Sequence, residues 1–179
     1  MTVDIPTLET DRLILRPFSD SDLDAYAAMM GNADVSQFAS LGGAPMDRMD
    51  AWRSMAMHLG HWQLRGFGQW AAEEKDSGAF VGRIGTYYPE TWPGREVGYA
   101  LAREHWGKGY ATEGSIAARD YAFETLGWDE VISIIHPDNV RSIAVAERIG
   151  ETFRETWQLR DMTLKIYALT RAEWENLKV

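Results

Sequence analysis

Leu13, Ile14 and Leu15 lie between Arg12 and Arg16, with Pro17 closing the run, and this stretch predicts a first strand. Further on the apolar period lengthens to that of a helix. Leu23, Tyr26, Ala27 and Met30 recur at helical spacing behind Ser19 and Asp22, a hydroxyl and an acid three residues apart that suit a capping box, and Gly31 stops the run. A second helix is predicted over 47–64 on Met49, Trp52, Met55, Met57 and Leu59, weakened at Gly60 and ended by Gly66. Residues 67–74 and 79–88 predict two strands joined by the turn chemistry of Lys75-Asp-Ser-Gly78, and 96–102 a further strand with alternating faces.

The clearest helix spans 111–126. At about 100° per residue, Ala111, Ile116, Ala118, Ala122, Phe123 and Leu126 share one face, opposite Glu113, Asp120 and Glu124. Val131 to Ile135 has the continuous apolar character of a central strand, and a helix over 140–149 follows, stopped by Gly150. Residues 156–160 and 162–169 predict two closing strands, and Thr170 with Glu173 caps a short last helix. This order implies an α/β (α+β) fold: a mixed, mostly antiparallel twisted sheet of about seven strands with helices on both faces. No linker or repeat interrupts it, so the whole of 1–179 is expected to form one domain.

Composition narrows the chemistry. The chain has 179 residues, 45% of them hydrophobic, and no window approaches the ~18 consecutive apolar residues of a membrane span. Together with an acidic N-terminal stretch lacking a signal-peptide core, this places the protein in the cytoplasm as an expectation, without a membrane partner. There is no cysteine, which excludes disulfides, zinc-thiolate sites and an acyl-cysteine intermediate; no metal is expected. A net charge of -9 argues against nucleic acid, which normally demands a basic face.

One segment carries specific chemistry. In Trp106-Gly107-Lys108-Gly109-Tyr110-Ala111-Thr112, two glycines allow a tight turn into the predicted helix, whose first N–H groups have no intrahelical partner. Those donors and the positive end of the helix dipole suit a diphosphate, to which Lys108 adds a point charge; a turn needing glycine only for geometry reads equally well from this segment alone. A nucleotide-hydrolysing loop is excluded by the absence of G-x-x-x-x-G-K-[ST]. The dinucleotide fingerprint fails because its third glycine falls at Thr112.

Taken in order, Glu96-Val-Gly-Tyr-Ala-Leu, Trp106-Gly-Lys-Gly-Tyr-Ala-Thr-Glu113, His136-Pro-Asp-Asn139-Val-Arg-Ser142, Ile149-Gly150 and Tyr167-Ala-Leu-Thr-Arg-Ala-Glu-Trp174 resemble the GNAT superfamily of N-acetyltransferases. The resemblance is nearest to the ribosomal-protein-alanine N-acetyltransferase branch, which the opening Leu8-Glu-Thr-Asp-Arg-Leu-Ile-Leu-Arg-Pro17 also matches. It implies acetyl-CoA as co-substrate and, as acceptor, a small-molecule amine or a protein N-terminus, in a monomer or homodimer. The family's pyrophosphate loop falls on Gly107, Lys108, Gly109, Tyr110, Ala111 and Thr112, with Trp106 where Gln or Arg is usual. The pantetheine arm is implied to lie against Tyr99, Ala100 and Leu101, where a backbone N–H would polarise the thioester carbonyl.

By the same resemblance Asn139 contacts pantetheine and Ser142 lies beside the thioester sulfur, although both also suit a helix start. The tyrosine that protonates the leaving thiolate in many members is replaced by Ala146, which leaves Ser142 or a water as acid. Glu73, Glu96 and His136 are the candidate bases, Glu96 being the one carried forward; Glu73 and Glu96 also read as exposed strand residues. An α-amine of pKa near 8 needs little help, being roughly a quarter to a third neutral at about pH 7.5, whereas a lysine amine near 10.4 is only about 0.1% neutral. The first two helices and the 89–94 connection are expected to line the acceptor side, with Phe38, Trp62 and Trp92 as candidates that also suit ordinary packing.

Overall fold

A computed structural model describes residues 4–40 and 42–178. Among the described residues eight strands form a single sheet: β1 (Leu8–Glu9), β2 (Leu13–Arg16), β3 (Gln69–Glu74), β4 (Phe80–Tyr87), β5 (Glu96–Leu101), β6 (Glu130–Ile135), β7 (Thr152–Leu159) and β8 (Met162–Thr170). The order across the sheet is β1-β2-β3-β4-β5-β6-β8-β7, and every neighbouring pair is antiparallel except β5 with β6. Seven strands are those expected from sequence. The eighth, β1, has two residues and no period to read. The first closing strand begins at Thr152 rather than 156; its residues through Thr156 are all exposed, so no alternation marked its start.

Helices cover both faces. α1 (Leu23–Met30), α2 (Ala33–Ala39) and α3 (Arg48–Arg65) bury Tyr26, Met29, Met30, Val35, Ala51 and Met55 against Ala71, Ala100 and Ala102. Asp47 caps α3 by accepting from the Asp50 N–H at 2.8 Å, and Gly66 ends it in the left-handed region at φ 76°. α2 was not anticipated. Its seven residues hold Val35, Phe38 and Ala39 at helical spacing but are too few to sustain a period, and it is started by the Asn32 side chain accepting from the Asp34 N–H.

On the opposite face lie α4 (Tyr110–Glu124) and α5 (Val140–Arg148), with α6 (Arg171–Asn176) beyond β8. Ala118, Ala122 and Phe123 of α4 join Ile84, Val97, Leu101 and Val131 of the sheet in the larger core. Burying Phe123, at 1% exposure, contributes about 2 to 3 kcal/mol. The packed arc of α4 also includes Gly114, Ser115 and Arg119, while Ile116, expected there, is only half-buried.

Candidate functional site

The parallel pair β5 and β6 barely pairs. Glu96 and Ile132 are the single position in register, joined by a backbone bond from the Ile132 N–H to the Arg95 carbonyl at 2.9 Å. β5 nevertheless stays zipped to β4 as far as Leu101. The two strands therefore splay apart from Glu96 onward, and side chains prop the gap. The Ser133 hydroxyl donates to the Val97 carbonyl at 3.0 Å, and the Ile134 N–H donates toward the Glu96 carboxyl instead of to a β5 carbonyl.

At the far end of β5, a short 3-10 turn leads to the glycine loop. Gly107 and Gly109 both occupy the left-handed region, at φ 74° and 85°, which favours glycine at each. Gly109 caps α4 with no side chain, and the first intrahelical bond runs from the Glu113 N–H to the Gly109 carbonyl at 3.1 Å. The N–H groups of Tyr110, Ala111 and Thr112 thus have no intrahelical acceptor.

The loop is pinned from outside by Arg12, which donates to the Lys108 carbonyl at 2.9 Å and to Glu113 at 2.7 Å, drawing that carboxylate aside. Trp106 anchors the inner end: its indole donates to the Leu101 carbonyl at 2.8 Å, and its ring is flanked by Arg103 and Arg141 at 4.7 and 4.9 Å. Lys108 is exposed. The Tyr110 side chain is buried with its hydroxyl donating to Glu74, so only its backbone faces the loop.

α5 starts on the same side of the sheet. The Asn139 side chain accepts from the Ser142 N–H at 3.2 Å and caps the helix. Opposite it, burial pushes the Tyr99 phenol on β5 above its ordinary value, with the neighbouring Ser142 hydroxyl acting the other way through a hydrogen bond. Sequence had implicated only the backbone of Tyr99; the structure brings its side chain to Ser142. Ala146, one turn further along, is 2% exposed.

The other face of the splay is lined differently. Glu96 is no exposed strand residue: desolvation pushes its carboxyl up to about 7, against the opposing pull of the Trp92 indole, the Ile134 N–H and the Arg83 charge. Trp92 donates to Glu96 Oε2 at 2.7 Å and packs edge-on to both Tyr87 and Trp157. Arg83 on β4 donates to the Gln69 carbonyl oxygen and to the Ala39 backbone at 3.2 Å.

Of the other candidate bases, Glu73 is paired with Arg16 at 2.7 Å on β3, two strands from the splay. His136 lies just past the end of β6, its Nδ1 accepting from the Asp138 N–H and its ring 5.6 Å from Phe38. Trp62 does not line this cleft. It is 1% exposed, stacks edge-on to Trp70 and donates to the Gln69 backbone carbonyl at 3.0 Å. Gln69 and Arg83 went unnoticed in the sequence, because only strand register shows that they share a face with Glu96.

A splayed parallel pair thus stands beside a glycine-turned helix start without a side-chain cap, and residues 12–152 match the family described as "Acetyltransferase (GNAT) domain". The chain belongs to the GNAT acetyltransferase family. GNAT enzymes move an acetyl group from acetyl-CoA to an amine, and this chain is an acetyl-CoA-dependent N-acetyltransferase of that kind. It is similar to the uncharacterised N-acetyltransferase YoaA of Bacillus subtilis, with 30% identity over 81% of this chain and 82% of that one. A solved acetyltransferase from Agrobacterium tumefaciens is 34% identical and superposes with a TM-score of 0.83, over 94% of this chain and 96% of its own. The fold is shared with RimL, an alpha-N-protein acetyltransferase of ribosomal L7/L12 solved with coenzyme A, at 15% identity and a TM-score of 0.77 over 92% and 98% of the two chains. Among the described residues, no helix of this GNAT chain is long and apolar enough to cross a membrane.

Proposed function

We propose that this enzyme transfers acetyl from acetyl-CoA to a primary amine by direct attack in a ternary complex. The observation that carries this reading is the splay itself. It is a gap between β5 and β6 with open helix-start N–H groups at one end and, on its two faces, a carboxyl raised to about 7 and a hydroxyl pair. In this reading the N–H groups of residues 107–112 hold the pyrophosphate, helped by Lys108, and the arm of CoA runs along Tyr99, Ala100 and Leu101 toward Asn139.

The thioester then sits between the two faces. Glu96, ionised, takes the proton from the attacking amine as its nitrogen bonds to the acetyl carbon. As the C–S bond breaks, the thiolate takes a proton from the Ser142 hydroxyl, beside the Tyr99 phenol, and solvent restores it. A β5 N–H in the Tyr99 to Leu101 stretch stabilises the oxyanion. The acceptor is an amine on a protein N-terminus, the class in RimL's name, or on a small molecule.

Thiol release from acetyl-CoA across an amine panel tests this reading. Amine-dependent release with intersecting double-reciprocal plots is expected, since no cysteine is present to hold the acetyl group. Binding of acetyl-CoA without amine-dependent release would instead make the chain a CoA-binding module. Parallel plots with a trapped acetyl-enzyme would rule out direct attack.

A further inference from the structure

One polar group on the acceptor face has no part in the transfer steps above. Gln69 opens β3, is 3% exposed and lies diagonally across from Arg83 on the same face, in the register Gln69 to Gly85 and Ala71 to Arg83. Arg83 donates to Gln69 Oε1 and is itself tied to the end of α2 through the Ala39 carbonyl. A guanidinium has donors and no acceptor, so the amide must turn its oxygen toward Arg83 and its NH2 the other way.

That NH2 is turned toward Gly98 on β5. Gln69 Nε2 lies 3.6 Å from the point a Cβ on Gly98 would occupy, and Glu96 Oε1 lies 3.3 Å from the same point. The other oxygen of Glu96 is taken by the Trp92 indole. No acceptor among the described residues takes the N–H groups of Gln69, although the residue as a whole is 3% exposed. A carboxyl oxygen and a fixed pair of amide donors thus converge over Gly98, which has no side chain to come between them.

We propose that Gln69 selects the acceptor by donating to an oxygen on the carbon next to the amine-bearing carbon, while Glu96 Oε1 faces the amine. This rests on the acetyl transfer proposed above. The chemistry is that of an α-amino acyl group, whose oxygen is either the first carbonyl of a peptide N-terminus or the carboxylate of a free amino acid. Alkylamines and polyamines bring no such oxygen and leave the Gln69 amide unpaired, the arrangement in which a site rejects an analogue most strongly.

The test compares kcat/KM, from thiol release, for alaninamide, alanine and isopropylamine in the wild type and in Gln69→Leu. Amine basicity is common to both proteins, so the change in the ratio between acceptors reports the contact. The substitution is expected to lower kcat/KM ten- to a hundredfold for alaninamide, alanine or both, with isopropylamine unchanged or improved and the KM for acetyl-CoA unchanged. A loss confined to alaninamide identifies the carbonyl, and one confined to alanine the carboxylate. Because Gln69 is buried, Gln69→Met serves as a second check of similar size that removes the donors without adding a charge beside Glu96, and the same selective loss is expected. An equal loss on all three acceptors, or none, overturns the inference while acetyl transfer stands. A wild type that binds acetyl-CoA yet releases no thiol with any of the three overturns both.

Discussion

The two faces of the sheet at the splay differ in kind. Toward α1, α2 and α3 stand ionisable groups, Glu96 and Arg83, with the Trp92 indole and the Gln69 amide ordered around them. Toward α4 and α5, apart from the cations of Lys108, Arg103 and Arg141 around the loop, the groups are neutral: the N–H groups opening α4, the Asn139 cap, and the hydroxyls of Tyr99 and Ser142. The difference fits what the proposed mechanism asks of each face. A polyanion is well served by fixed backbone dipoles that carry no side-chain entropy, whereas proton removal from an amine needs a group whose charge can change near neutral pH.

Removing the charge from the ionisable face should have the largest effect. Glu96→Gln is expected to lower kcat/KM by roughly a hundred- to ten-thousandfold. In the wild type the rate should rise as pH climbs through about 7, because the base must be ionised, and the variant should lose that inflection. Melting curves supply the sign on stability. The folded-state value lies above the ordinary 4.5, so the stability this carboxyl contributes is fully present below that value and is lost as pH rises through about 7. Glu96→Gln should melt without that decline. An unaltered pH profile in the variant would remove Glu96 from the reaction.

The neutral face should respond less. Ser142→Ala is expected to reduce kcat ten- to a hundredfold with little change in the KM for acetyl-CoA, since a CoA thiolate leaves fairly well unaided. Full turnover in this variant would return proton delivery to water. Gly109→Val places a β-branched residue at φ 85° and should weaken acetyl-CoA binding tenfold or more, about 1.4 kcal/mol, with an intact circular dichroism spectrum. Unchanged affinity by calorimetry would detach the loop from the cofactor. The smallest effect is expected from Asn139→Ala, which removes the bond to the Ser142 N–H and should cost about 1 kcal/mol of stability.

The neutral face was also the more legible one. Two glycines at fixed spacing and an asparagine ahead of a helix are local features, so the loop at 107–112 and the cap at Asn139 could be read from consecutive residues. The ionisable face is assembled from β3, β4, β5 and the connection before β5, and its members are neighbours only through register. Strand alternation made Glu96 look solvent-facing, and nothing local says that β6 parts from β5 to let that carboxyl into the gap. The overall architecture was largely readable because its longer elements carry strong apolar periods. The exceptions, β1, α2 and the start of β7, are short or wholly exposed.

The thin joint between β5 and β6 has a thermodynamic consequence for the part of the chain beyond it. With one residue pair in register, β6, β8 and β7 gain little backbone pairing from the rest of the sheet and rely on packing to stay closed against it. Such a segment can open with a free energy of its own, below that of global unfolding. A ligand seated across the gap binds the closed arrangement alone and adds about 2.7 kcal/mol at a hundredfold excess over Kd. The cell's supply of acetyl-CoA would then govern how long the protein survives proteolysis, and not only how fast it works.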